Sequence, residues 1–503
     1  MVKAERTTKN ILSCQSRGDV TKSPSHGSRS SDNICYVETR IGPKPLPLVG
    51  NLFSVLFELK KVKYHHSLWK CWSNKYGGLL GLRLGSVNTV VVFGKEMIKE
   101  VYSREVFDGR PDGFMYTLRS FGKKLGIVFN DGSSWAKTRR IALKFMKSHG
   151  YGSRLMEEHI SEECKELVKM LSRTTKPVLA NNLFDVSIIN IVWRLVAGKR
   201  YKLDDENLKK LCDLITRCFK AVDISGGVMT FMPFLRYIIP DIIGYTEMTT
   251  VHRALHKFLT ETIREHRGTL DPDNPRDVID SFLIELHHNN GSSFTEEDLQ
   301  VVCLDMLEAG VETVNNTAVY MLLHLVRERN VQMRLQMEID EVIGKERTPS
   351  LSDKSRMVYT EAVILETLRI SSIAPVGIPH MATADTQLGG YDIPKGTFIL
   401  IGLHDLHNGS HWKNPQDFRP ERFLTKEGNL MQDETLKPFG FGKRRCIGEG
   451  LARSELFLFI AHIMQKFHLI VPDGDPLPTA DPVGGITLSA KPFKIQFLPR
   501  HGF

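Results

Sequence analysis

Apolar residues recur at spacings of three and four through most of residues 129–330, as in CKELVKMLS and LKKLCDLITRCFK, and that period predicts amphipathic helices. Ahead of this block two apolar runs, GLLGLRLGSV and NTVVVFG, predict paired strands, and a turn at Gly94 and Lys95 leads into a helix at EMIKEVYSRE. A second cluster of short strands is expected from about residue 376, and LSAKPFKIQFLP ends the chain in extended form. Helices in the middle with small sheets at both ends make the protein mainly α with small β-sheets. A regular βα repeat is excluded. The segment IGPKPLPLVG, residues 41–50, carries prolines at every second position, which hold an extended arm and cannot continue a helix.

Two stretches depart from simple amphipathic patterning. VMTFMPFLRYIIPDIIG, residues 228–244, is strongly apolar but broken by Pro233 and Pro240. It reads either as a buried connector or as a segment that dips into a membrane surface, since a proline-broken run cannot span a bilayer. EEDLQVVCLDMLEAGVETVNNTAVYMLLHLVRE is apolar on more than one side, so this helix of about 30 residues should run through the protein. Thr295 and Asp298 form a capping box at its start. Its centre, AGVET, sets the minimal side chains of Ala309 and Gly310 beside an acid, Glu312, and a hydroxyl, Thr313. That arrangement fits a close helix contact with Thr313 bonded back to the helix carbonyls, and equally a place where a flat group approaches the backbone.

Length alone suggests about three domains, but no Pro/Gly/Ser-rich linker interrupts residues 42–498. One domain over 41–503, after a disordered polar tail over 1–40, is therefore expected. The tail has no apolar run long enough for a transmembrane helix or a secretory signal. Its positive charge leaves an organellar presequence as the alternative. The net charge of +9 favours an acidic protein partner or an anionic lipid surface. Nucleic acid is disfavoured, because zinc-finger spacing, RNA-binding aromatic signatures and a continuous basic helix are all missing from the sequence. Eight scattered cysteines without a CxxC pair indicate a reducing compartment, and Cys164, Cys212, Cys218 and Cys303 read as small apolar side chains inside helices.

Cys446 is different. It lies in LKPFGFGKRRCIGEG among Gly440, Gly442 and Gly448, with Phe439 and Phe441 as apolar cover and a helix beginning near Gly448. Such a loop can aim one sulfur at a planar cofactor, and the backbone N–H groups and helix N-terminus around it would favour a thiolate. The neighbours supply no base for a nucleophilic cysteine, and one cysteine makes a poor structural zinc site. Iron in a porphyrin needs only one strong protein ligand.

Phe439, Gly442, Arg444, Cys446 and Gly448 complete the FxxGxRxCxG pattern of the cytochrome P450 family. AGVET resembles that family's oxygen-activation motif, ETLR (Glu366 to Arg369) its ExxR pair, and PERF (420–423) the source of the third member, Arg422. The resemblance covers about residues 40–500, and with GRP at 109–111 and WAKTR at 135–139 it is nearest to the microsomal group that oxidises steroids, fatty acids, terpenoids and xenobiotics. It implies the cytochrome P450 fold, with the long central helix crossing haem b (iron protoporphyrin IX). Cys446 is implied as the axial iron ligand, and Trp135, Arg139, His380 and Arg444 as the groups around the haem propionates. Trp135 and Arg139 would face inward while Lys137 and Arg140 face solvent. Thr313 would hydrogen-bond bound dioxygen and Glu312 relay protons. Glu366, Arg369 and Arg422 would hold the cysteine loop as a buried charge network.

The implied reaction is hydroxylation or epoxidation of a hydrophobic substrate, such as a steroid, a terpenoid hormone precursor, a fatty acid or a xenobiotic. Its pocket is expected from the loop at 122–130, the 228–240 segment, Val302 to Gly310, Ala374 to Ile378 and Gly484 to Thr487. Electrons would come from an NADPH-cytochrome P450 reductase docking on Lys137, Arg140, Lys443 and Arg445, with cytochrome b5 as an auxiliary and mitochondrial ferredoxin as the weaker alternative. The cytoplasmic face of the endoplasmic reticulum is the expected location, with peripheral membrane contact, and the mitochondrion the lesser one. A peroxide-rearranging family member and a haem-bearing sensor are the rival readings. Glu312 and Thr313 argue against the first, and product formation with NADPH and reductase would exclude the second.

Overall fold

The computed structural model describes residues 41–225, 227–288 and 294–500. The tail expected over 1–40 and the beginning of the turn before the central helix lie outside the described residues. In chain order the helices are α1 (Leu52–Val62), α2 (His65–Tyr76), α3 (Lys95–Ser103), α4 (Phe114–Leu118), α5 (Gly132–Ser148), α6 (Arg154–Ser172), α7 (Asp185–Ala197) and α8 (Glu206–Ala221). They continue as α9 (Gly227–Phe231), α10 (Tyr245–Gly268), α11 (Val278–His288), α12 (Glu296–Arg327), α13 (Arg329–Val342), α14 (Val358–Ser371), α15 (Leu403–Asn408) and α16 (Glu449–Lys466). The expected mainly α architecture with small sheets is what the chain adopts.

The first two predicted strands are β1 (Leu79–Leu84) and β2 (Val87–Val92), an antiparallel pair in which Leu79 faces Val92. Short strands follow: β3 (Val178–Leu179), β4 (His380–Met381), β5 (Thr386–Leu388), β6 (Tyr391–Ile393) and β7 (Phe398–Ile401). The last are β8 (Phe467–Ile470), β9 (Pro482–Val483), β10 (Ser489–Ala490) and β11 (Lys494–Pro499). The main sheet runs β1-β2-β7-β4, and the closing strand lies between β3 and β8. The proline arm is sewn to the sheet edge: the Gly81 amide donates to the Ile41 carbonyl (2.9 Å), and Asn51 accepts from the Arg83 amide (2.8 Å) while donating to the Pro43 carbonyl (2.9 Å).

Helix α12 spans 32 residues, about 48 Å at the usual rise. Its capping box forms as expected, with Thr295 accepting from the Asp298 amide (3.2 Å) and Asp298 from the Thr295 amide (2.9 Å). From Val301 to Val326 every residue is buried except Met306, Ala309, Gly310 and Thr313. Those four fall at spacings of three, four and seven, so they form one narrow open stripe on a helix otherwise enclosed by core. Beside the stripe, α7 packs so closely that a Cβ on Gly310 would lie 2.9 Å from Val192 Cγ2. Ala309 and Gly310 thus divide the two readings between them: Gly310 admits a neighbouring helix, and Ala309 faces open space.

The 228–244 segment is neither wholly buried nor wholly exposed. Met229, Thr230 and Phe231 are buried, whereas Phe234, Tyr237, Ile238 and Ile242 stand out, Ile242 at 81% exposure. The prolines explain the split by breaking the segment into a short helix and a 3-10 turn with different faces inward. Among the described residues no helix is long and apolar enough to cross a membrane.

Thr295→Ala removes one half of the reciprocal cap. It should cost about 1 kcal/mol, read as a lower denaturation midpoint in urea with an unchanged slope.

Candidate functional site

The cysteine loop is held in place by its backbone. The Cys446 amide donates to the Phe439 carbonyl (3.0 Å), and Tyr151 donates from its hydroxyl to the Ile447 carbonyl (2.6 Å). Gly442 sits at φ +70°, and a Cβ there would collide with the Tyr102 carbonyl, so this turn needs glycine twice over. Of the six free cysteines described, Cys446 alone is exposed. Burial of its sulfur in the surrounding structure nevertheless raises the thiol pKa, while the Gly448 and Glu449 amides and the Arg139 guanidinium act in the opposite direction. The exposure is therefore into a recess of the protein. The expected stabilisation by backbone N–H groups is present, and burial outweighs it.

A small recess beside the cysteine loop has two walls. Thr313, Val314 and Thr317 of α12 line one side, and Phe439, Ala452 and Leu456 from the cysteine loop and α16 line the other. Thr313 donates to the Ala309 carbonyl (2.7 Å), the back-bonded arrangement that its place in a helix allows. Glu312 points elsewhere: its two oxygens accept from Thr216 of α8 (3.0 Å) and Asn316 (3.0 Å), and Asn316 also donates to Thr487 (3.3 Å). Burial raises the Glu312 pKa against those hydrogen bonds. Asp185 of α7 lies within its field and is itself pushed up to about 8, by burial first and by Glu312 second. Oδ1 of Asp185 is buried without a hydrogen-bond partner among the described residues.

Around the cysteine loop the positive groups crowd together. Arg444 stacks over Trp135, 3.7 Å from its guanidinium carbon to the ring centroid, and donates to the Asp108 carbonyl (2.6 and 3.0 Å). Its Nη1 and the Trp135 Nε1 are buried donors without an acceptor among the described residues. Arg139 donates to the Arg445 carbonyl (2.6 Å), and His380, buried in β4, bonds through Nδ1 to the Phe107 carbonyl (2.7 Å). Burial, then Arg110, lowers the Arg444 pKa to about 9 and drives that of His380 well down. Arg110 itself was missed by sequence reasoning. It is 4% exposed, bonds to the Val128 (3.0 Å) and Pro379 (3.1 Å) carbonyls, and is lowered to about 10. The signal available was the GRP triplet, in which an arginine sits next to a proline in an otherwise apolar neighbourhood.

Glu366 and Arg369 of α14 are fully buried and paired through two contacts (2.7 and 2.9 Å), and Arg422 joins the same carboxylate at 2.9 Å. Arg369 continues to the carbonyls of His407 (3.0 Å) and Pro415 (2.8 Å), and His407 Nε2 accepts from the Lys437 amide at the root of the cysteine loop (3.1 Å). The network thus reaches the loop through His407, a link the sequence did not reveal.

A second buried cluster closes the 122–130 loop over α12. Arg119 bridges Asp305 (2.7 Å) and Glu308 (2.7 Å), and Asp305 accepts from the Ile127 and Val128 amides. His252 and Cys218 also approach Glu308, at 3.2 and 3.8 Å. Burial holds the Cys218 thiol well up, and its acid neighbour is already engaged by Arg119. Of the four cations expected to receive a reductase, Lys443 pairs with Glu105 and Arg445 with Glu449 (2.7 Å). Part of that surface is therefore internally neutralised.

A mainly α body, a cysteine loop opposing an open stripe of the central helix, and unanswered donors between them define a haem-binding oxidoreductase. The cytochrome P450 pattern spans residues 41–497, and the chain belongs to that family: it is a haem-thiolate monooxygenase with haem b as cofactor. It is similar to farnesoate epoxidase of Bombyx mori, 60% identical over 477 residues, 95% of this chain and 96% of that protein. Similarity extends to probable cytochrome P450 305a1 of Drosophila melanogaster (38%, covering 91% and 94%) and cytochrome P450 2B4 of Oryctolagus cuniculus (35%, covering 91% and 94%). The residues present fit the cofactor, since two orphaned donors and a crowd of depressed guanidinium groups match a pair of carboxylates.

Glu366→Ala strands the buried Arg369 and should cost about 3–5 kcal/mol. The expected readout is a sharp fall in haem bound per purified chain.

Proposed function

We propose that this chain epoxidises a double bond of a long isoprenoid acid of the farnesoate type, with Cys446 as the thiolate ligand. The observation that carries the reading is the 60% identity, spread along 95% of the chain, with an enzyme named for that reaction. The geometry supports it, because Cys446 is the exposed cysteine among the described residues and Phe439 of its loop faces Thr313 of the open α12 stripe across a small recess. Cys218 is the poorer candidate: it is enclosed by Met248, His252 and Glu308, with no flat slot beside it.

Haem bound there supplies the activation of dioxygen and the transfer of one oxygen atom to the substrate. The chain's own groups do the rest. Trp135, Arg139, Arg444, His380 and Arg110 would hold the propionates. Thr313 presents a hydroxyl at the open stripe and passes a proton from Oγ1. Glu312, its pKa raised by burial, is the acid that relays protons toward that hydroxyl, and Glu366, Arg369 and Arg422 keep the loop's foundation in register. NADPH-cytochrome P450 reductase is the proposed electron donor, approaching the face that carries Lys137, Arg140, Lys443 and Arg445, with cytochrome b5 as an auxiliary.

The proposed location is the cytoplasmic side of the endoplasmic reticulum membrane. Leu48 and Phe57 are 90% and 62% exposed, and the Ile238 and Ile242 region is equally open. The two patches meet near Gly85, whose amide donates to the Val49 carbonyl (3.2 Å) and whose absent side chain leaves room for the Phe231 carbonyl. An apolar surface of that kind suits the interface of a bilayer.

With reductase, NADPH and farnesoate, the wild-type protein should form a product one oxygen atom heavier, carrying an epoxide by mass fragmentation; a hydroxylated product alone would overturn the reading. Cys446→Ser should abolish the thiolate-type Soret band of the reduced carbon monoxide complex. Thr313→Ala should retain that band while NADPH consumption shifts from product to hydrogen peroxide, measured together in one assay.

A further inference from the structure

A second cavity, of about 240 Å³, opens on the far side of the wall formed by residues 372–376. Ile373 and Ala374 face the recess beside Thr313, while Pro375 and Val376 face this outer cavity, so one short segment lies between the two. Leu488 lines the outer cavity as well, fixed by its amide to the Ile373 carbonyl (2.8 Å). The turn holding Gly484 and Gly485 is clamped to the end of α8 by the Ile486 amide on the Phe219 carbonyl (2.7 Å). These contacts make the cavity a built feature, with walls from four parts of the chain.

Its mouth is cationic. Lys63, at the C-terminus of α1, and Lys220, in the last turn of α8, both line it, both are exposed, and neither forms an ion pair among the described residues. Two of the nearby acids are already answered, while Glu312 and Asp185 also lie within the field of Lys220. Asp223 pairs with His65 (3.3 Å) and accepts from the Ser225 hydroxyl (2.6 Å), and Asp481 pairs with Lys491 (3.1 Å). Two ammonium groups thus stand at the rim of a cavity whose inner wall, Val376 and Leu488, is apolar. A rim of that sign over a wall of that character is complementary to an amphipathic anion.

We propose that Lys63 and Lys220 bind the carboxylate of a long-chain acid at this mouth, while its apolar chain runs inward past Val376 and Leu488 toward Thr313. The inference rests on the substrate reading above and deepens it: the acid end is the recognised end. A methyl ester of the same chain lacks the charge and loses the lysines' contribution.

The test is binding, followed by the spin-state shift of the haem-loaded full chain. Wild type and Lys63→Gln/Lys220→Gln are titrated with farnesoate, methyl farnesoate, dodecanoate and methyl dodecanoate at low and high salt. Haem content and the carbon monoxide spectrum report folding. Wild type should prefer each acid to its ester, and the double variant should weaken the acids at least about tenfold, equivalent to about 1.4 kcal/mol, with the esters unchanged and the salt dependence of acid binding lost. Equal weakening of acid and ester, or no weakening of either, overturns the proposal. The substrate reading fails separately, if farnesoate yields no epoxide while the lysine-dependent preference for dodecanoate persists. Should farnesoate be epoxidised equally well by both proteins with the same acid-to-ester affinity ratio, the substrate reading stands and the lysine mouth falls.

Discussion

One buried carboxylate organises the side of the protein that holds the cysteine. Glu366 has no access to water, and it is answered by two guanidinium groups from different parts of the chain, Arg369 and Arg422. Taking those charges out of water is costly, and it is tolerated because every member is paired and their remaining N–H groups reach backbone carbonyls. The pairing joins α14 to the irregular segment around residues 407–422. His407 then carries the connection to the cysteine loop, so the direction of one sulfur depends on a charge network some distance away.

The opposite wall obeys a different constraint. Helix α12 is surrounded by core almost everywhere, and at its open stripe Ala309 projects too little to fill the space beside it while Gly310 admits α7. Thr313 and Glu312, adjacent in sequence, diverge by the turn of the helix: one reaches the recess, the other a polar seam between α7, α8 and the 484–488 turn. The acid and the hydroxyl therefore belong to two compartments, and water must connect them for a proton to pass.

Much of this was legible in the sequence because the relevant signals are local. The capping box, the first two strands, the FxxGxRxCxG loop and the Glu366 and Arg369 pair each lie within a few residues, and each forms as read. Long-range features were not legible. Arg110 joins the cation cluster through the carbonyls of Val128 and Pro379, and His407 meets Lys437, partners that no spacing rule connects. The apolar 228–244 run could not be divided into buried and exposed halves, since that division depends on the surfaces meeting it. Charge counting likewise passed over the partners of the basic docking face: Glu105 is a neighbour of Lys443 in space but far from it in sequence, and Glu449 lies only four residues from Arg445.

The contact between Gly310 and Val192 reaches beyond local packing. With α7 pressed against it, the central helix cannot thicken or swing on that flank, so the ceiling of the recess is rigid. The connecting segments around 122–130, 372–376 and 484–488 are not pinned in this way, and side chains there can be exchanged without moving α12. A fixed vault with adjustable corners lets the shape of the cavity be altered while the oxidising face stays where it is.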